Sequence, residues 1–120
     1  MAIKITISDK VGFAVKGHIN DVDGKEQPFD FVLIAKRLDE DELNAAQALL
    51  VVDAAKTGNH AAIHEKLAEI VTNWTGVRDD SDASLAYSPD LLRGLLKSHR
   101  GLGLLVWRTY IHESGAKEKN

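Results

Sequence analysis

A chain of 120 residues is long enough to bury one hydrophobic core without covalent staples. Its net charge of -3 gives no reason to expect nucleic acid or an anionic membrane surface as ligand, and the lack of cysteine excludes disulfides, thiolate metal sites and cysteine nucleophiles. No apolar run approaches the roughly 20 residues that span a bilayer. The opening M-A-I-K-I-T-I also lacks the apolar block of a signal peptide, so the expectation is a soluble protein of the cytoplasm.

Taken in chain order, the first third reads as strands. Ile3, Ile5 and Ile7 alternate with Lys4 and Thr6, Val11, Phe13 and Val15 continue the alternation, and Phe29, Phe31 and Leu33 repeat it. Asp23-Gly24 is a hairpin turn signal, and Pro28 belongs at the start of the returning strand or on an edge, because it cannot donate to a ladder. A small antiparallel sheet is therefore expected over residues 3–35.

Helices are expected after it. Asp39 is placed to cap the first, with Glu40, Asp41 and Glu42 in its opening turn, and Thr57-Gly58 to end it. Asn59 would cap the second, in which Ile63, Leu67, Ile70, Val71 and Trp74 make one stripe that runs to Gly76. After the loop R-D-D-S-D-A-S, Ser88-Pro89-Asp90 spells a third helix start: a hydroxyl cap, proline at the first helical position and an acid in the first turn. Leu91, Leu92, Leu95 and Leu96 lie on one face of that helix, and a fourth helix spans Gly101 to Glu113. The class is α+β: a small N-terminal antiparallel β-hairpin or sheet followed by a bundle of about four helices. The expected organisation is a single domain over 1–115, with a β-rich part at 1–37, a helical part at 38–114 and a flexible tail over 115–120.

Two of these helices carry more apolar surface than one core needs. Between Ala45 and Ala55 only Gln47 and Asp53 are polar, so the first helix either lies between layers or also meets another chain. In the fourth, Leu104, Val106, Trp107, Tyr110 and Ile111 share a broad face, Leu102 sits toward its edge, and Leu105 falls outside it beside Arg108 and His112. Apolar residues off the main face suggest an interface. Leu49, Val52, Leu102, Leu105 and Arg108 are the candidate partner-binding or oligomer-interface residues, and Leu105→Asp is expected to weaken association while sparing the fold.

Chemistry is harder to find. His60 and His64 have metal-ligand spacing, but Ala61 stands where a zinc protease needs glutamate, and His60 falls on the apolar stripe of its helix. Asp79, Asp80 and Asp82 resemble the start of a calcium loop, yet Leu85 and Leu91 occupy the positions of its glycine and closing glutamate, so a solvated turn is expected. Asp53, a carboxylate in an apolar surround, is expected to make a buried hydrogen bond or an interface salt bridge. The glycines form no phosphate-cradling loop, and no serine sits in a nucleophile elbow. No catalytic, metal or cofactor residue is assigned, and the expectation is a protein that is not an enzyme.

The order of these landmarks resembles the tail assembly chaperones of long-tailed bacteriophages. The resemblance rests on F-D-F-V-L-I-A-K-R-L-D-E-D-E-L, a strand passing into an acidic helix start, then W-T-G-V-R-D at 74–79, then Y-S-P-D-L-L-R-G-L-L at 87–96, and a closing helix that ends at Tyr110. Family members commonly place a glycine turn between the tryptophan motif and the aromatic-serine cap, where this chain has D-D-S-D-A-S-L-A. The resemblance implies a non-enzymatic role in virion assembly. It implies binding to the tape measure protein, recruitment of tail tube protein, homo-oligomerisation, presence in the host cytoplasm during assembly and absence from the mature virion. Many members are also made in a frameshift-extended form. Two other readings stand beside it: a small scaffold or regulatory protein-binding module, and a DNA-binding regulator. The latter would use the positive run Arg93, Lys97, Arg100 and Arg108 across two short helices joined near Gly101, although the leucines, valine and tryptophan of the second helix are unsuited to reading bases.

Overall fold

In the computed structural model, residues 2–57 and 60–117 are described. Strand β1 (Lys10–Asn20) turns back into β2 (Glu26–Lys36), and helices α1 (Glu40–Thr57) and α2 (Ala61–Ile70) follow. A short strand β3 (Val71–Thr75) returns to the sheet before α3 (Pro89–Ser98) and α4 (Leu102–Ser114) close the chain. The sheet is antiparallel in the order β1-β2-β3. Val11, Phe13 and Val15 of β1 and Phe31, Leu33 and Ala35 of β2 face one side and are buried, as the alternation requires. The helices supply the other half of that core through Leu50, Leu67, Leu92, Leu96, Val106 and Tyr110.

The turn chemistry works as the residues predict. Gly24 takes the positive φ of 77°, and the Asp21 carboxylate accepts from the backbone N–H groups of Asp23 and Lys25. These bonds hold the Asp21 carboxyl below its ordinary value. Pro28 lies opposite His18, on a stretch of β2 that β3 does not reach, so its missing donor costs no ladder bond. At α1, Asp39 Oδ1 accepts from Glu42 N at 2.8 Å while Glu42 Oε1 accepts from Asp39 N at 3.1 Å, a reciprocal capping box. At α3, Ser88 Oγ accepts from Leu91 N at 3.1 Å and Pro89 opens the helix. Asn59, expected to cap α2, lies outside the described residues, as does the end of the tail beyond Lys117.

Three expectations are corrected. The sheet starts at Lys10, and residues 2–9 carrying Ile3, Ile5 and Ile7 form no strand, because alternation makes a strand only where another strand pairs with it. The second helix ends at Ile70, where Val71 turns extended at φ -73° and ψ 133°. Val71 and Trp74, read as helical neighbours, belong to β3, so one strand of the sheet lies within the span expected to be all helical. Both are buried because the register slips by one residue between Ile34 and Ala35, and this bulge turns two positions three apart toward the same side.

The W-T-G-V-R-D and Y-S-P segments pack into one unit. The Trp74 and Tyr87 rings meet edge to face at 5.1 Å, Trp74 Nε1 donates to Leu85 O at 2.8 Å, and Tyr87 Oη donates to Val71 O at 3.0 Å. Gly76, at φ 88°, passes so close to β2 that an added Cβ would stand 3.3 Å from Phe31 Cα. The intervening loop has no glycine, and Asp82 supplies its left-handed residue at φ 65°.

Candidate docking surface

Helix α1 holds the surface with most to offer a partner. Leu43, Ala46, Gln47, Leu50, Asp53 and Ala54 recur at the three-and-four spacing of one helical face and are buried or half-buried. A second set, Ala45, Ala48, Leu49, Val51, Val52 and Ala55, covers the far side and is exposed. Leu49, Val51 and Val52 are 71%, 69% and 52% exposed, so this apolar helix is half used by the core. Covering a fully exposed aliphatic side chain is worth roughly 1.5–3 kcal/mol, which gives the outer face a strong tendency to find a partner.

Beside it runs a groove of about 270 Å³ between α1 and α4. Leu50, Ile63, Trp107 and Ile111 line its apolar interior, while His60 and Arg108 are exposed at its mouth. Val51 belongs to both the groove and the outer face of α1, which makes the two one continuous surface. The groove's interior is apolar, and the exposed Arg108 places a cation at its mouth.

The candidate interface residues do not all arrive there. Leu49, Val52 and Arg108 are on the surface. Leu102 is not: it is buried in the core cluster as the first residue of α4, directly after Gly101 at φ 90°. Leu105 is half-buried, lying over β1 where a Cβ at Gly17 would stand 3.2 Å from its Cδ2. Leu105→Asp would therefore disturb the packing of helix on sheet and does not isolate an interface. Val51, which the sequence reading does not single out, lies on the same surface; the apolar circumference of its helix marks two faces without saying which one the core takes.

The titratable clusters have local roles. His64 lies flat on α4, where an added Cβ at Gly103 would stand 2.6 Å from its Cδ2; burial first, and the neighbouring His60 second, lower its pKa from 6.5. Asp79 Oδ1 accepts from Ser81 N, Ser81 Oγ and Ala83 N, which ties up one carboxylate oxygen within the turn and lowers that acid's pKa. Among the described residues no group of three or more histidines and acids is placed to hold a metal ion. Asp53 is half-buried on the inner side of α1 and does not sit within the core. Of the basic run, Arg93 pairs with Glu65 at 2.6 Å and Asp90 at 2.8 Å, while Lys97, Arg100 and Arg108 are exposed. The helix that would have to read bases, α4, gives Val106, Trp107 and Tyr110 to the core.

No helix among the described residues is long and apolar enough to cross a membrane. In comparisons with known proteins, no family model, no curated protein and no solved structure matches the chain.

Proposed function

We propose that this protein is a non-enzymatic assembly chaperone of a bacteriophage tail, which binds the long helical tape measure protein and helps bring tail tube subunits to it. The observation that carries the reading is the outer apolar face of α1, continuous with the α1–α4 groove. A surface of this shape suits successive turns of an amphipathic helix. Several copies on one long ligand would gain avidity without any single contact being tight. Two further features support it. Two of the motifs that carry the resemblance, W-T-G-V-R-D and Y-S-P, pack into one unit around Trp74 and Tyr87, and Asp79 and Arg93 are engaged in a turn and in ion pairs.

The test starts with the DNA flanking the gene. A slippery heptamer near its end, followed by a frame encoding a long helical protein, is the expected arrangement. Co-expressed with that long protein, this chain should capture it. Val52→Asp should weaken capture at least about tenfold, equivalent to roughly 1.4 kcal/mol, with unchanged helical circular dichroism. Failure of the native chain to capture the long protein would reject the reading. Undiminished capture by Val52→Asp would remove the outer face of α1 as its site.

A further inference from the structure

Ahead of β1, the chain carries a segment with the period of a strand and, among the described residues, no strand to pair with. Ile3-Lys4-Ile5-Thr6-Ile7 alternates apolar and polar residues, four of the five are β-branched, and all three isoleucines are exposed. The base of this arm is anchored. Arg37 N donates to Asp9 O at 2.7 Å and Arg37 Nε donates to Ser8 O at 3.1 Å, and ahead of this anchor the chain bends at Asp9 and pairs with no strand among the described residues.

The complement of such an arm is the outer edge of β1. Among the described residues this strand pairs only with β2, without a bulge, from Lys10↔Lys36 to Asn20↔Glu26. Asp9 O accepts from Arg37, and Asp21 N donates to Lys25 O, so odd-numbered residues bond to β2. Gly12, Ala14, Lys16 and His18 therefore direct their N–H and C=O groups outward from the sheet, while Lys10 N donates to Ser8 Oγ at 3.3 Å. At the middle of this edge Gly12 and Ala14 offer almost no side-chain cover, and a Cβ at Gly12 would meet nothing within 4 Å. Edge strands left this open are templates for another strand.

A cleft of about 570 Å³ runs beside the edge, between Phe13 and Ala14 of β1 and Arg108, Thr109 and His112 of α4. The odd-numbered residues of β1 face the helices. A strand added with its isoleucines opposite those positions would turn the isoleucines into the cleft and leave Lys4 and Thr6 toward solvent. We propose that the Ile3–Ile7 arm of a second copy of this chain adds to the free edge of β1, so that the protein self-associates by strand donation. The arm and the edge carry this inference without reference to the ligand of α1.

The test measures the mass of the full chain by light scattering. The native chain should have at least twice the single-chain mass. Ile5→Lys, in an exposed arm, should reduce it to one chain with the melting temperature of the fold intact. Ala14→Pro should do the same from the other side, since it removes an outward N–H and no bond to β2. Ile5→Lys keeps its edge and Ala14→Pro keeps its arm, so an equimolar mixture of the two should regain a two-chain species. A monomeric native chain, or an unchanged mass in Ile5→Lys, would overturn the proposal. Val52→Asp should leave the mass unchanged, which separates this contact from capture of the helical ligand; a loss of mass there would place self-association on α1 instead.

Discussion

Asp82 shows how a single residue meets a backbone demand that the sequence does not advertise. The turn from Asp79 to Ala83 reverses the chain, with Asp82 N donating to Asp79 O at 2.9 Å, and needs one residue at positive φ. Aspartate tolerates that region better than most residues because its short polar side chain can bond locally. Here the Asp82 carboxylate lies 3.7 Å from Arg78 Nε, and Arg78 Nη1 donates to Asp82 O at 3.0 Å. The ion pair is exposed and contributes little, so the backbone conformation dominates. Asp82→Val should cost about 1–2 kcal/mol in urea unfolding, while Asp82→Gly should be nearly neutral. Equal effects of the two would mean that the turn relaxes away from positive φ. A sequence reading could find the turn among its acids, but could not tell which one would be left-handed, because that depends on how the Val77–Leu85 segment closes over Trp74.

The elements divide by whether their signals are local. Helices α1 and α3 begin at the residues their caps predict, since a cap involves only groups three residues apart. Asp39→Ala should therefore cost about 1 kcal/mol, read as a lower urea midpoint with an unchanged slope; no change would show that α1 is held by packing alone. The segment from Ile63 to Trp74 was misread for a physical reason. A bulged strand that turns Val71 and Trp74 to the same side copies the three-residue spacing of a helix, and only the pairing with β2 separates the two. The Ile3–Ile7 segment is the opposite case, with the period of a strand and, among the described residues, no strand that pairs with it. Helix α1 adds a third kind of ambiguity. Its apolar circumference offers two faces to a core, and the chain buries the one carrying Leu50.

At the scale of the molecule, Tyr110 joins the layers. It is fully buried; its hydroxyl accepts from Leu38 N at 2.9 Å and donates to Lys36 O at 2.8 Å, binding α4 to the point where β2 passes into α1. Its ring meets Phe13 edge to face and stacks on Trp107. Burial raises the pKa of Tyr110 above the ordinary 10.0, and burial does the same at Tyr87. A raised folded-state pKa means that stability is fully present below pH 10.0 and is lost as pH climbs through the folded values. Melting temperature should therefore hold up to that pH and fall beyond it. Tyr110→Phe should lessen the alkaline fall while lowering stability at neutral pH by about 1–3 kcal/mol, the cost of orphaning a buried donor and acceptor. A melting curve equally pH-sensitive in the variant would shift the effect to Tyr87. The sequence by itself determined the α+β class, the hairpin turn and the starts of α1 and α3, because turns and caps depend on contacts within a few residues; of the four leucines read as one face of α3, Leu92 and Leu96 are buried, Leu95 is half-buried and Leu91 is exposed. Only the tertiary structure decided that 71–75 is a strand, that Leu102 is core, that α1 keeps one apolar face outside and that the first isoleucines stand free. Each of those outcomes depends on which distant surface is available to pair with or to bury against.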